Sequence, residues 1–410
     1  MTALAGRPVK DAILAYNVGS SSIKFAVFSR DHDRLCDGAI RGIGGAQAGF
    51  SCRVPEAAGP TDRKVSAHDH GQALGIVLDW LEREGAGWRL TATGHRVVHG
   101  GSEFCRPVRV NQQVLARLHA LIPLAPLHQP HALQSIEALM DRYPHLPQVA
   151  CFDTAFHANM PPWEQRLALP EALTRKGIRR YGFHGLSYES IAGAMPAHLG
   201  NAADGKVVIA HLGHGVSMCA VKNRQSVATT MGFTPLDGLP MGRRSGAIDP
   251  AIVLYLLAQG MTAAEISDLL HHQSGLLGLS GISDDMHILL ESRDARAAEA
   301  IDLFCYRLGR ELASLAAALG GLDAVIFTGG IGMHAAPVRE RVCRAAAWLG
   351  IELDTGANRK NALRISSAAS PVSTWVIPTD EERIIAQHTV ALLSGDEHPF
   401  QDKHSKGDQS

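Results

Sequence analysis

The chain has 410 residues, 46% of them hydrophobic, and a formal net charge of −1, which leaves room for two domains with sizeable cores. A charge this close to zero, with no basic cluster or basic-aromatic stripe, argues against nucleic acid and anionic membranes as partners. No run approaches the eighteen or so apolar residues of a membrane helix and no signal-peptide pattern opens the chain, so a cytoplasmic protein is expected. Its seven cysteines and 21 histidines show neither a C-x-x-C pair nor metal-ligand spacing, which fits reduced thiols better than disulfides or a zinc site.

The first predicted element is a buried strand over Ala12 to Ala15. The turn Asn17-Val18-Gly19-Ser20-Ser21-Ser22 follows, and then a strand in which Ile23, Phe25 and Val27 alternate with Lys24 and Ala26. A tight glycine, three hydroxyls and one lysine make an anion-holding hairpin. A Walker loop would open a helix and read G-x-x-x-x-G-K-[ST], which is absent. Residues 17–24 are also compatible with an ordinary Gly-Ser hairpin. The stretch from Ala46 to His70, rich in Gly, Pro, Ala and charge, reads as an irregular excursion.

Four further stretches carry candidate chemistry. Residues 95–101 place Arg96 at a strand-like turn, and residues 124–130 place His128 between two prolines. Residues 152–157 set Asp153 among aromatics, and residues 181–185 set His184 between an aromatic and a glycine. Taken singly, each is more often a satisfied structural residue.

The hairpin pattern then recurs. An apolar strand over residues 207–210 meets the turn His211-Leu212-Gly213-His214-Gly215, and a second strand runs from Val216 to Val221. Thr262 and Glu265 form a capping box ahead of Ile266, Leu269 and Leu270. Ile301, Phe304, Leu308, Leu312, Leu315 and Leu319 recur at helical spacing until Gly320-Gly321. The strand over residues 324–327 runs into Thr328-Gly329-Gly330-Ile331-Gly332, where glycines let a ligand approach the backbone. Val338, Val342, Ala345 and Leu349 then mark a helix stopped by Gly350. After Ser394 the chain has almost no apolar residue, so a disordered tail is expected.

Two glycine hairpins and a Gly-Gly strand end resemble the phosphate and adenosine elements of the α/β fold shared by acetate kinase, sugar kinases, actin and the heat-shock ATPases. The full motif series, through His-Arg-Val-Val-His-Gly-Gly, Ala-Pro-Leu-His, Phe-Asp-Thr-Ala-Phe-His, Gly-Phe-His-Gly, His-Leu-Gly-x-Gly and residues 231–236 to Thr379-Asp380-Glu381-Glu382, is similar in order to the acetate kinase family nearly end to end. The resemblance implies two domains with duplicated βββαβαβα cores and an interdomain cleft. The N-terminal domain would span 1–152, completed by a C-terminal helix over 383–395. The C-terminal domain would span 153–382, with a tail over 396–410.

The implied reaction is reversible, Mg2+-dependent, in-line transfer of the γ-phosphoryl group of ATP to acetate or propionate, giving acyl phosphate and ADP, in a cytosolic homodimer. Family positions for the metal fall on Asn17 and Glu381, and the substrate-side arginines on Arg96 and Arg244. The catalytic aspartate falls on Asp153 and the transition-state histidines on His128 and His184. Ser20, Ser22 and Lys24 match the first phosphate hairpin. His211, Gly213, His214, Gly215, Asp285, His287, Gly329, Gly330, Ile331 and Gly332 match nucleotide positions, and Val98, Leu127, Phe183 and Pro235 match the acyl pocket.

The residue types suit that chemistry independently. A carboxylate nucleophile is already ionised at neutral pH, so no general base is required. The difficulty is bringing an anion to a polyanion, which arginines, histidines and a metal relieve. The chain departs from the family at His214, Ala228, Arg243, Ala247, His287, Met333 and His334, which makes the phosphoryl-donor side more positive. A different donor, pyrophosphate or another nucleotide, therefore stays open beside ATP. A non-catalytic nucleotide switch would need neither Arg96 nor a methyl-sized pocket.

Overall fold

Period-two alternation in the first hundred residues builds a mixed sheet. The computed structural model describes residues 10–19, 21–45, 47–55, 59–84 and 87–395; Ser20 and the expected disordered tail lie outside them. Strands β1 (Lys10–Val18), β2 (Ser22–Ser29), β3 (Arg34–Arg41), β4 (Ala48–Arg53), β5 (Thr61–Val65), β6 (Trp88–Val97), β7 (Val108–Arg109) and β8 (Gln148–Phe152) lie in the order β5-β4-β3-β2-β1-β6-β8-β7. Neighbours from β1 to β5 are antiparallel, whereas β6 runs parallel to β1 and β8 parallel to β6.

Helix His70–Glu84 covers one face of this sheet, with Trp80 set 6.4 Å from Phe25 and 5.9 Å from Phe50 between ring centroids. Helix Glu381–Ser394 packs on β1 and β6. Gly94 permits that approach, because a Cβ there would come within 2.5 Å of Ile385 and closer still to Thr389.

The stretch expected to be irregular is corrected here: it contains β4 and β5, which extend the sheet edge. Ala48, Phe50 and Cys52 point into the core and Gly49, Ser51 and Arg53 point away. The outer-face residues are turn formers and a charge, so composition masked the alternation.

The second sheet contains β9 (Val207–Leu212), β10 (Val216–Lys222), β11 (Gln225–Thr229), β12 (Ala324–Thr328) and β13 (Ser373–Val376), in the order β11-β10-β9-β12-β13. With β4, β5 and β7 set aside, both sheets share one plan: an antiparallel meander of three strands and two more parallel to its first strand. Helix Ala295–Leu319 buries all six residues of the predicted stripe and ends on Gly320 at φ 68°. The capping box at Thr262 and Glu265 opens helix Ala263–His272. The stripe from Val338 divides, with an α-helix over Ala336–Ala345 and a tighter 3-10 turn over Ala347–Leu349.

The chain separates into two compact units, one made of the described residues up to Ala155 together with those from Asp380 onward, the other of Phe156–Thr379. The boundaries expected at 152/153 and 382/383 differ by a few residues, and Asp153 and Glu381 both belong to the first unit. No described helix is long and apolar enough to cross a membrane.

Candidate active site

In the first unit, three parallel strand ends deliver the candidate side chains. Asn17 is the next-to-last residue of β1, Arg96 the next-to-last of β6, and Asp153 follows β8. The Asp153 N–H donates to the Val97 carbonyl at 3.1 Å, which fixes its place beside Arg96. Arg96 Nε donates to Oδ1 and Oδ2 of Asp153 at 3.1 and 2.9 Å, and Nη2 donates to Oδ2 at 2.5 Å. Nη1 donates to the Val18 carbonyl at 3.1 Å and reaches Asn17 Oδ1 at 3.4 Å. Burial works against the guanidinium charge, but Asp153, with Glu381 and Glu382, outweighs it and holds Arg96 above its ordinary value. Burial pushes the Asp153 carboxyl up, against the pull of Arg96.

Asn17 also meets the start of the C-terminal helix, where its Nδ2 donates to Glu381 Oε2 at 2.8 Å and Glu382 Oε1 at 3.2 Å. Glu382 was not assigned a role from sequence, yet it shares Asn17 with Glu381. Burial and the neighbouring Glu381 push its carboxyl up, while Lys24 pulls it down. Lys24 is the cross-strand partner of Asn17, so both project from one face of the sheet. The hairpin turn closes through Gly19 N–H to the Ser22 carbonyl at 2.7 Å, and His70 Nε2 donates to the Gly19 carbonyl at 2.8 Å.

His128 sits at the N-terminus of helix Gln129–Arg142. Gln129 clamps the loop after β6 to it, accepting from His99 N–H and donating to the His99 carbonyl, each at 3.1 Å. Val98 is buried and Leu127 half-buried in this unit.

In the second unit the turn between β9 and β10 closes through Gly213 N–H to the Gly215 carbonyl at 3.0 Å, with His214 exposed at its tip. His184 takes a left-handed conformation, φ 60°, to begin helix Gly185–Leu199, a strained placement of the kind found at working sites. Its ring stacks on His211, centroids 4.4 Å apart. A Cβ at Gly329, φ +76°, would lie 2.6 Å from the Leu212 carbonyl oxygen, so only glycine lets the Gly-Gly strand end reach the second hairpin. The structure thus gathers His184, His211, Gly213, Gly215 and Gly329.

Phe183 is buried, and its carbonyl accepts from His157 Nε2 at 3.0 Å. Burial lowers the His157 pKa to about 4. It is therefore a neutral brace at pH 7. Arg244 Nη1 donates to the Pro235 carbonyl at 3.3 Å, which joins a candidate arginine to a candidate pocket wall.

Asp285 caps a separate short helix, Met286–Glu291, that contains His287. Asp285 accepts from the His287 N–H at 2.8 Å, and the exposed His287 ring faces Glu291 at 3.6 Å. Of the residues that depart from the family pattern, Arg243 is paired with Asp284 at 2.7 Å. The positive charge gained there is neutralised locally.

Arg339 was missed by sequence reasoning and is fully buried. It donates to the Gly332 carbonyl at 2.8 Å, to the Asn358 side chain and carbonyl, each at 2.8 Å, and to Asn361 Oδ1 at 2.6 Å. Burial lowers its pKa to about 10. Its position one residue after Val338 lies beside the apolar stripe, and no local pattern marks it as buried.

A family model described as the acetokinase family matches residues 12–387. An acetate kinase of Rhodopseudomonas palustris is 53% identical over 400 residues, covering 94% of this chain and 100% of that protein. One from Nitrobacter hamburgensis is 47% identical, covering 93% and 96%. Among solved structures, the acetate kinase of Porphyromonas gingivalis aligns with a TM-score of 0.83 at 35% identity, covering 93% of this chain and 100% of that one. A propionate kinase from Francisella tularensis aligns at 0.86 and 37%, covering 92% and 99%.

Proposed function

This chain belongs to the acetokinase family and is a phosphotransferase acting on a carboxyl group, and we propose that its reaction is the reversible transfer of the γ-phosphoryl group of ATP to acetate or propionate, giving acyl phosphate and ADP. The observation that carries this reading is the Arg96–Asp153 pair. Asp153 engages Nε and Nη2, and the Val18 carbonyl and Asn17 Oδ1 engage Nη1, which leaves one Nη2 N–H of the guanidinium's five donors unused among the described residues. With 16% of its side chain exposed, Arg96 is a pre-oriented cation that can bind a substrate carboxylate or a developing phosphoryl charge. Asp153 is the positioning residue that holds it. Arg244 beside Pro235 supplies a second cation in the other unit, and His128 and His184 supply imidazole donors. The family's acyl-pocket positions fall on Val98 and Leu127 in the first unit and on Phe183 and Pro235 in the second.

The residues present suit Mg2+. Asn17 and Glu381 offer hard oxygen atoms, and Glu382 adds a second carboxylate whose protonation burial and Glu381 favour, a like-charge arrangement that a cation relieves. When bound there, Mg2+ would neutralise charge on the nucleotide phosphates. Nucleotide positions of the family fall on Ser22 and Lys24 in the first unit and, in the second, on His211, Gly213, Gly215 and residues 329–332. The Arg243–Asp284 pair offsets one of the seven departures on the donor side.

Acyl phosphate trapped with hydroxylamine should form from acetate and propionate with ATP. Specificity should fall for butyrate and hexanoate, because overfilling a rigid pocket costs about 1–3 kcal/mol. Turnover with pyrophosphate, while ATP neither supports the reaction nor competes, would overturn the ATP assignment.

The homodimer rests on a different feature. Helix Pro250–Ala258 buries none of its residues, and Ile252, Leu254, Tyr255 and Leu257 are 44, 67, 63 and 43% exposed. An apolar face of this kind matches a self-complementary interface with a second copy of the chain. Sedimentation should give twice the mass of one chain, and Leu254→Asp with Tyr255→Asp should give monomers. A wild-type monomer at micromolar concentration would refute the dimer.

A further inference from the structure

His184, Ser187 and Tyr188 are spaced three and four apart and share one face at the start of helix Gly185–Leu199. Opposite them, β9 and β10 place Ser217 directly across from His211. The two elements exchange hydrogen bonds in a crossed pattern. His184 Nδ1 meets Ser217 Oγ at 2.7 Å, and His211 Nδ1 meets Ser187 Oγ at 2.8 Å. Behind Ser217, Tyr188 Oη lies 2.5 Å from the same Oγ.

Proton accounting fixes the directions. Tyr188 is fully buried, and burial pushes its phenol well above the ordinary value, so it keeps its proton. Among the described residues its hydroxyl has one partner, Ser217 Oγ, and a buried donor left unpaired would cost about 1–3 kcal/mol. Tyr188 therefore donates to Ser217. The single Ser217 proton then goes to its other partner, His184 Nδ1, which must carry a lone pair. Ser187 is also buried, and its hydroxyl proton has His211 Nδ1 as its acceptor by the same reasoning.

Both neutral rings then hold their protons on Nε2, and both Nε2 atoms face the glycine turn. A Cβ at Gly215 would come 2.6 Å from His184 Nε2, and one at Gly213 would come 3.4 Å from His211 Nε2.

We propose that Ser217, backed by Tyr188, and Ser187 are positioning residues that fix the stacked imidazoles of His184 and His211 as neutral Nε2–H donors aimed at the phosphate-binding turn. The assignment rests on the reading above, in which His184 touches the transferring phosphoryl group and His211 the nucleotide phosphates. With Nε2–H set in advance, neither ring has to change tautomer or turn when negative charge arrives.

The test uses the full chain labelled with 15N-histidine, with His184 and His211 assigned by substitution. Long-range 1H–15N correlation at neutral pH should show both rings with bare Nδ1 and protonated Nε2. A Nδ1–H ring at His184 in the wild type overturns the relay, and that measurement needs no variant to fold. Tyr188→Phe frees Ser217 to accept, so a second His184 tautomer should appear. Ser217→Ala should lower kcat by roughly tenfold or more, with KM for acetate changed by less than about twofold. A full rate in Ser217→Ala beside an impaired His184→Ala overturns the relay alone. A full rate in His184→Ala overturns the phosphoryl contact instead, and the tautomer spectrum then decides whether the relay stands.

Discussion

Arg96→Ala should lower kcat/KM for acetate by roughly a hundredfold to a thousandfold, the usual loss when one charge-assisted contact to a transition state is removed. Its stability should fall as well. Asp153 has 2% of its side chain exposed and takes all three of its Arg96 contacts from the lost guanidinium. Breaking a buried pair from one side costs about 3–5 kcal/mol. Two measurements separate the effects: hydroxylamine-trapped acyl phosphate per folded enzyme, and the urea midpoint. Arg96→Lys keeps the charge but cannot reach Asp153 and a substrate carboxylate through a planar fork. It should recover part of the stability and little of the rate. A wild-type rate in Arg96→Ala with acetate below saturation removes Arg96 from the mechanism.

What the sequence disclosed was local, and what it concealed was long-range. Both glycine hairpins and the helix from Ala295 to Leu319 were legible because alternation and helical spacing are properties of consecutive residues. Strands β4 and β5 were not, because the outward residues of β4 are Gly49, Ser51 and Arg53, which resemble loop composition. The motif order placed Arg96, Asp153, Asn17 and Glu381 as candidates. That Asn17 reaches Glu381, 364 positions away, and that Glu382 joins it, are products of the helix packing on β1. Gln129, Ser217 and Tyr188 act by bracing other residues, and nothing in their immediate neighbours announces that role.

Arg339 shows the same concealment with a large energetic consequence. Among the described residues it has no carboxylate partner, and even with its pKa lowered to about 10 it is charged at neutral pH. The charge is carried by four acceptors: the Gly332 and Asn358 carbonyls and the Asn358 and Asn361 side-chain oxygens. Arg339→Ala strands the buried Gly332 and Asn358 acceptors, at about 1–3 kcal/mol each where water cannot replace the lost donor, while the exposed Asn361 can turn to water. It also leaves a cavity. Destabilisation of about 3 kcal/mol or more is therefore expected, read as a lowered urea midpoint. The Gly332 carbonyl belongs to the short helix Gly329–His334, so its anchor to Asn358 and Asn361 is lost with the guanidinium. In whatever fraction folds, KM for ATP should rise several-fold while KM for acetate changes little. A variant with wild-type midpoint and wild-type KM for ATP would mean that water or neighbouring groups replace all four hydrogen bonds, and that Arg339 neither holds the fold nor steadies the Gly-Gly turn.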